Sequence, residues 1–445
     1  MKRFSIAGCA GFILVAAMAA ATTPAEPPST PPPPAAPAPA DEEIVRMNRV
    51  SQEISARTRR AHESGSPLAE LQVLKSLEAE YAGNDFALGV LRMMISQLLP
   101  QVGDYAGAHR YADLSEASGQ GPGAPRPQLP SLDGYAAENA IRAIARAAGS
   151  RQVVMINEAH HVPQHRAFTL QLLGALRKQG FAYFAAETLR QDPGLVRRGY
   201  PTQETGWYIQ EPLYGDLVRT ALRLGYKVVP YEQEEVNPGE DPGIREREQA
   251  RHLVERILKA DPKAKILVHA GYGHVAKSVS PMKMMAKYFQ EMTGIDPLTI
   301  HQVVMTEHSA PELEEPLYRQ AVDRGLVKEP VVFRNATGAL WSTSKNYDMA
   351  VFHPRSHYEN GRPDWLRMGG LRSPRPLPRT ICGPSPSCLI KAYAAGEKTD
   401  AIPLDEIIAE SGKPVPGLML PRGKILIRVE DARGKLIGER TISIR

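Results

Sequence analysis

Through the middle of the chain, short apolar runs alternate with segments of helical period. Val153, Val154, Met155 and Ile156 show no polar alternation, which predicts a strand covered on both faces, as in a parallel sheet. Pro163 marks the first turn of a helix, Phe168, Leu170, Leu172, Leu173 and Leu176 mostly share one side, and Gly180 stops it. The pattern repeats: a strand over 181–186, a helix over 213–224, a strand over 227–231, a helix over 243–258, a strand over 265–270, a helix over 281–292 and a strand over 298–305. This order predicts an α/β domain over 133–340, built on a mainly parallel sheet with helices on both faces.

The flanks read differently. Residues 41–118 carry helical periods over 68–81 and 86–99, and Gly103 to Ala108 followed by Ala112 looks like the second helix of a tetratricopeptide unit. Only one such unit is visible where an array needs about three, so an ordinary helical hairpin is the simpler expectation. Residues 119–132, dense in Gly and Pro, form a linker. Residues 341–445 begin with a Pro- and Arg-rich stretch and end in a small β-rich module, with strands over 424–429 and 441–444 around a turn at Asp431 to Gly434.

The first 23 residues read as a secretory signal peptide: Lys2 and Arg3, an apolar run, then Ala-x-Ala choices such as Ala17-Met18-Ala19. A Pro/Ala-rich spacer over 24–40 follows. Cleavage would leave no stable membrane span and would put the protein in the periplasm or outside the cell. It would also remove Cys9 and leave Cys382 and Cys388 in an oxidising compartment, where a small structural disulfide is expected. A hydrophobic fraction of 42% and a charged fraction of 23% are those of an ordinary globular protein. The formal charge of +5 falls to +3 without Lys2 and Arg3, too small a balance to argue for nucleic acid.

Chemistry concentrates where the strands end. Four successive strands finish at Glu158 and His160, Glu187, Glu232, and His274, and parallel strands would bring all of them to one edge of the sheet. Carboxylates and imidazoles converging in a partly buried cleft suit general acid and base work. His160 reads as a base for water, with Glu158 or Glu187 fixing its tautomer. His161 and His165 are four apart, a metal-pair spacing only if the helix starts before Pro163. Glu232 has the weakest case, since Glu234 and Glu235 suggest an acidic loop. No phosphate loop, serine-nucleophile elbow or haem-attachment cysteine pair is present.

Asn157-Glu158-Ala159-His160, His165, Glu187 and Gly271-Tyr272-Gly273-His274 together resemble the erythromycin-esterase/ChaN-like group, related to Tiki and TraB proteins, over about residues 151–305. The resemblance implies a site arginine on the helix before the last motif, matched by Arg247, with Arg245 nearby. Esterase-like members use the first motif His to activate water, Tiki-like members are metal-dependent proteases, and ChaN-like members bind haem-type iron. Asn157 stands where Gly is usual, its tolerance of unusual backbone angles keeping the turn. His161 replaces the Gly that esterase-like members favour, which leans toward the ChaN-like branch. The expected function is therefore hydrolysis of an ester or amide in a small-molecule or peptide substrate by His160, Glu158, Glu187, His274 and Arg247. The competing expectation is a haem- or metal-binding uptake protein without catalysis. A divalent zinc, manganese or iron ion would take its ligands from Glu158, His160, His165, Glu187 and His274.

Overall fold

The computed structural model describes residues 39–119, 128–233, 241–279 and 282–445. The expected signal peptide and nearly all of the Pro/Ala-rich spacer lie outside the described residues. Among those described, no helix is long and apolar enough to cross a membrane. Four helices open the chain: α1 (Pro39–Glu63), α2 (Pro67–Ser76), α3 (Asp85–Leu98) and α4 (Tyr105–Gly119). Ser66 and Asn84 cap α2 and α3, each accepting a backbone N–H of the first turn. The apolar faces of these helices share one cluster with Leu389 from the C-terminal region.

After α5 (Ala140–Ala148), six strands build one parallel sheet: β1 (Val153–Glu158), β2 (Tyr183–Ala186), β3 (Lys227–Pro230), β4 (Ile266–Gly271), β5 (Leu298–His301) and β6 (Met349–Ala350). Their order in space is β3-β2-β4-β1-β5-β6. Every pairing is parallel, so all the strand ends singled out above fall on one edge. β6 lies beyond residue 340, where the sequence places the end of this domain. The stretch set apart as Pro- and Arg-rich thus supplies part of the sheet.

Alternate residues of β1 face two separate cores, as its unbroken apolar run requires. Val154 and Ile156 join Leu172 and Leu173 of α6 (Pro163–Lys178) and Leu217 and Val218 of α7 (Pro212–Arg223). Val153 and Met155 join Leu253 of α8 (Pro242–Leu253) and Phe289 of α9 (Met285–Thr293). Proline opens α6, α7 and α8, and Glu211 caps α7 by accepting from Leu213 N and Tyr214 N. Gly294, with φ of 71°, ends α9 in the left-handed conformation that glycine adopts at no cost.

A four-stranded antiparallel sheet closes the chain, in the order Asp405–Glu410, Ser387–Ala394, Gly423–Asp431, Leu436–Ile444. The two anticipated strands fall within its last two. Cys382 and Cys388 are joined by the expected disulfide. Buried arginines tie this region to its neighbours: Arg372 to Asp216 of α7 at 2.7 Å, Arg219 of α7 to Glu397, and Arg362 to Asp405 and to the Gly103 carbonyl ahead of α4.

Candidate functional site

Glu158, the last residue of β1, is the centre of the strand-edge cluster. Its Oε1 accepts from His160 Nδ1 at 2.8 Å and Arg166 Nη2 at 2.6 Å; its Oε2 accepts from Arg166 Nε at 2.7 Å and His269 Nε2 at 2.8 Å. Burial pushes this carboxyl up, but the Arg166 charge and the four hydrogen bonds outweigh it and hold it well below the usual carboxylate range. Arg166, in the first turn of α6, also reaches Glu211 at 3.1 Å and lies over the Tyr214 ring. The first turn of α6 is therefore pinned to the end of β1.

With Nδ1–H committed to Glu158, the His160 ring keeps its lone pair at Nε2. That atom is buried and has no hydrogen-bond partner among the described residues. The ring is stacked on Tyr208 at 3.7 Å and meets Tyr272 edge-on at 4.9 Å. Nε2 points over Gly271, the last residue of β4. A Cβ there would come within 2.5 Å of Nε2 and 3.0 Å of Glu187 Oε2, so the glycine is what lets ring and carboxylate approach this backbone so closely.

Glu187, just past β2, accepts from Gly271 N through Oε2 and from Arg245 Nη2 through Oε1 at 2.9 Å. Burial raises its pKa, yet His274, His160 and Arg245 lower it further, to about 2. Arg245 also donates to Glu232 through Nε at 3.0 Å and Nη2 at 2.8 Å, and its Nη1 lies 3.1 Å from His274 Nε2. His274 Nδ1 faces Glu246 at 2.5 Å. Burial lowers the His274 pKa, but the Glu246 and Glu187 charges win and lift it above its ordinary value. Two residues in this row, Thr188 (φ 58°) and Tyr272 (φ 38°), hold left-handed backbone without being glycine, a strain that clusters at functional sites.

The structure thus brings Glu158, His160, Glu187, Glu232 and His274 to one edge and replaces Arg247 with Arg245. Arg247 points outward and, among the described residues, pairs with Glu248 at 3.8 Å. His165 stands apart: its Nδ1 accepts from Ala159 N at 3.1 Å and its ring faces His353. Burial and then His353 hold its pKa well below the usual value, so it is a neutral, structural imidazole. Because α6 starts at Pro163, His161 lies outside the helix and turns to the Tyr272 hydroxyl instead of pairing with His165. Asn157 is ordinary extended strand. Its side chain donates to Tyr272 O at 2.5 Å and accepts from Gln302 N at 2.9 Å, fastening β1 to both neighbouring loops.

The expected metal set does not fit a resident ion here. Among the described residues, no three of these five groups present donor atoms within 4.8 Å of one another. Glu158 is saturated by four donors, and the Arg245 guanidinium fills the place between Glu187, Glu232 and His274 that a cation would take. Sequence reasoning missed Arg166, Tyr208, Glu246 and His269. Of these only His269 left a signal, a lone polar residue inside an apolar strand.

No family model and no curated protein matches the chain. A solved structure, that of the type III effector HopBA1, aligns with 51% of this chain and 98% of its own at 13% identity and a TM-score of 0.31, a likeness that carries no argument.

Proposed function

We propose that the strand-edge cluster hydrolyses an ester or amide by activating water, with His160 as general base. The observation that carries this reading is the buried His160 Nε2, which has no hydrogen-bond partner among the described residues and lies over Gly271, whose N–H holds Glu187 Oε2. A water there would give one proton to Nε2 as its oxygen bonds the substrate carbonyl carbon, while Glu187 accepts from its other hydrogen. The imidazolium formed is stabilised by the anionic Glu158, which also sets the tautomer. As the carbonyl–oxygen or carbonyl–nitrogen bond breaks, the same proton passes from Nε2 to the leaving atom. Arg245 keeps Glu187 ionised and fixed. His274 Nε2 accepts from Arg245 Nη1, which holds the ring beside Glu187. Entry of the substrate requires displacing Tyr208 from the His160 ring. The motif resemblance to esterase-like proteins agrees with this reading.

The test is a panel of activated esters and peptide amides assayed with the full chain. His160→Ala should lose about 10²–10⁴-fold in turnover with near-UV circular dichroism unchanged. Gly271→Ala, whose methyl would collide with the His160 ring, should lose a similar amount. Turnover retained in His160→Ala would sink the assignment.

A further inference from the structure

The strand-edge site is closed. Glu158, His160, Glu187 and His274 are each at most 2% exposed, so nothing from solvent reaches His160 Nε2 unless a covering residue moves. Tyr208 covers the face of the His160 ring and Tyr272 its edge. Tyr272 is fastened to β1 through its backbone: its N donates to the Glu158 carbonyl at 2.7 Å, and its own carbonyl accepts from Asn157 Nδ2 at 2.5 Å. Tyr208 belongs to a segment held in another way.

Residues 188–210, between β2 and α7, form a loop whose two legs touch. Leu189 bridges Gly206, and Arg190 N donates to the Thr205 carbonyl at 2.8 Å. Within the loop, Asp192 gathers Arg198, the Thr205 hydroxyl and Gly194 N. A Cβ at Gly206 would collide with the Thr188 carbonyl oxygen, so this glycine lets the legs meet. Thr188 is held at φ of 58°, and its hydroxyl accepts from Tyr208 N at 3.2 Å, which links the strained residue to the covering ring. The far end of the loop docks on the C-terminal region: Thr202 bridges Ala401, and Ile402 N donates to the Pro201 carbonyl at 3.0 Å. Next to Tyr208, the Trp207 ring meets that of His62, in the last turn of α1, at 4.8 Å. His62 is itself held by Glu70 of α2 at 2.9 Å. Two adjacent residues thus tie the loop to the base on one side and to the N-terminal helices on the other.

We propose that residues 188–210 are a lid over His160, shut at rest by Tyr208 and latched from outside by His62 of α1 against Trp207. A compact loop with touching ends moves as one body. Its opening carries Tyr208 off the imidazole, and the backbone turns at Thr188, where the left-handed strain is released. The N-terminal helices therefore control access to the site and supply none of its chemistry. The lid is read from packing alone, while its effect on turnover rests on the hydrolytic reading above.

The experiment is modification of the full chain with diethylpyrocarbonate, followed at each histidine by peptide mass spectrometry, beside turnover of the ester panel. The reagent acylates neutral imidazole, so its rate at His160 measures how often the ring is uncovered. His62→Ala and Trp207→Ala should each raise that rate about two- to tenfold, the range set by loss of one aromatic contact. His165, buried against His353 and away from the loop, should keep the parent rate. Thr202→Cys with Ala401→Cys joins two bridge partners at a separation that a disulfide accepts. The oxidised pair should slow modification of His160, and reductant should restore it, with the parent under the same reductant as the control. A His160 rate unchanged in both latch variants would overturn the lid. So would equal rises at His160 and His165, which mark general loosening. Faster modification of His160 with no turnover of any ester supports the lid and removes the hydrolytic reading; turnover in the parent with an unchanged His160 rate does the reverse.

Discussion

Arg245 and Arg247 show how far a residue can be read before its element is folded. Two positions apart on a helix is about 200° of rotation, so one arginine faces the core when the other faces water, and the sequence around them, crowded with Arg and Glu, does not say which. The structure buries Arg245 against two carboxylates and leaves Arg247 half-exposed. Arg245→Ala would leave Glu187 and Glu232 buried without their counter-charge, and about 3–5 kcal/mol of stability should be lost in a denaturant titration. Arg247→Ala should stay within about 0.5 kcal/mol of the parent. Equal effects would mean that the α8 register is wrong. The carboxylates and histidines at the strand ends were legible for a different reason: an apolar run that stops at a charged residue marks both the end of a strand and the edge it reaches. Arg166 was not, because a cation in the first turn of a helix reads as solvated until the strand beside it supplies Glu158.

Elements long enough to show a period were legible, and short ones were not. β1, β2 and β4 stand out as mainly apolar runs, and α7 falls within one residue of its expected ends. β6 has two residues, fewer than any alternation needs, and the strand Ser387–Ala394 is buried along most of its length, with Lys391 masking the run. Helix α7 also shows how the C-terminal region is held. Its Asp216 receives the buried Arg372, and burial of the Asp216 carboxyl is overcome by the Arg372 charge, which keeps it ionised. Asp216→Ala strands that guanidinium in the interior and should cost about 3–5 kcal/mol, whereas Asp216→Ala with Arg372→Met together should recover most of it. A double mutant no better than the single would show that the pair does not brace these elements.

At the scale of the whole molecule the histidines dominate the response to acid. Burial lowers the pKa of His109 to about 4 and of His301 and His353 to about 3, and it holds His161 and His165 well below 6.5. His62 and His274 are raised by their carboxylate partners and act in the opposite sense. A lowered histidine stabilises the fold fully above its unfolded value near 6.5 and loses that contribution as pH falls toward the folded value. A raised one contributes below 6.5 and loses its contribution as pH rises. Five against two gives a fold whose urea midpoint, measured with chelator present, should be lower at pH 5 than at pH 7.5. Below about 4.5 the decline should steepen, as Glu187 and Glu158 begin to take up protons that their depressed folded values resist. A flat midpoint from pH 7.5 to 5 would show that these imidazoles are hydrated in solution.

The spatial order of the strands has a kinetic consequence. β4 inserts between β2 and β1, and it alone brings His269 to Glu158, across 111 residues of chain, and Gly271 against His160 and Glu187. Until that central strand docks, Glu158 lacks its His269 donor and Glu187 lacks the Gly271 N–H. The charged row at the strand edge is therefore completed only when the sheet closes.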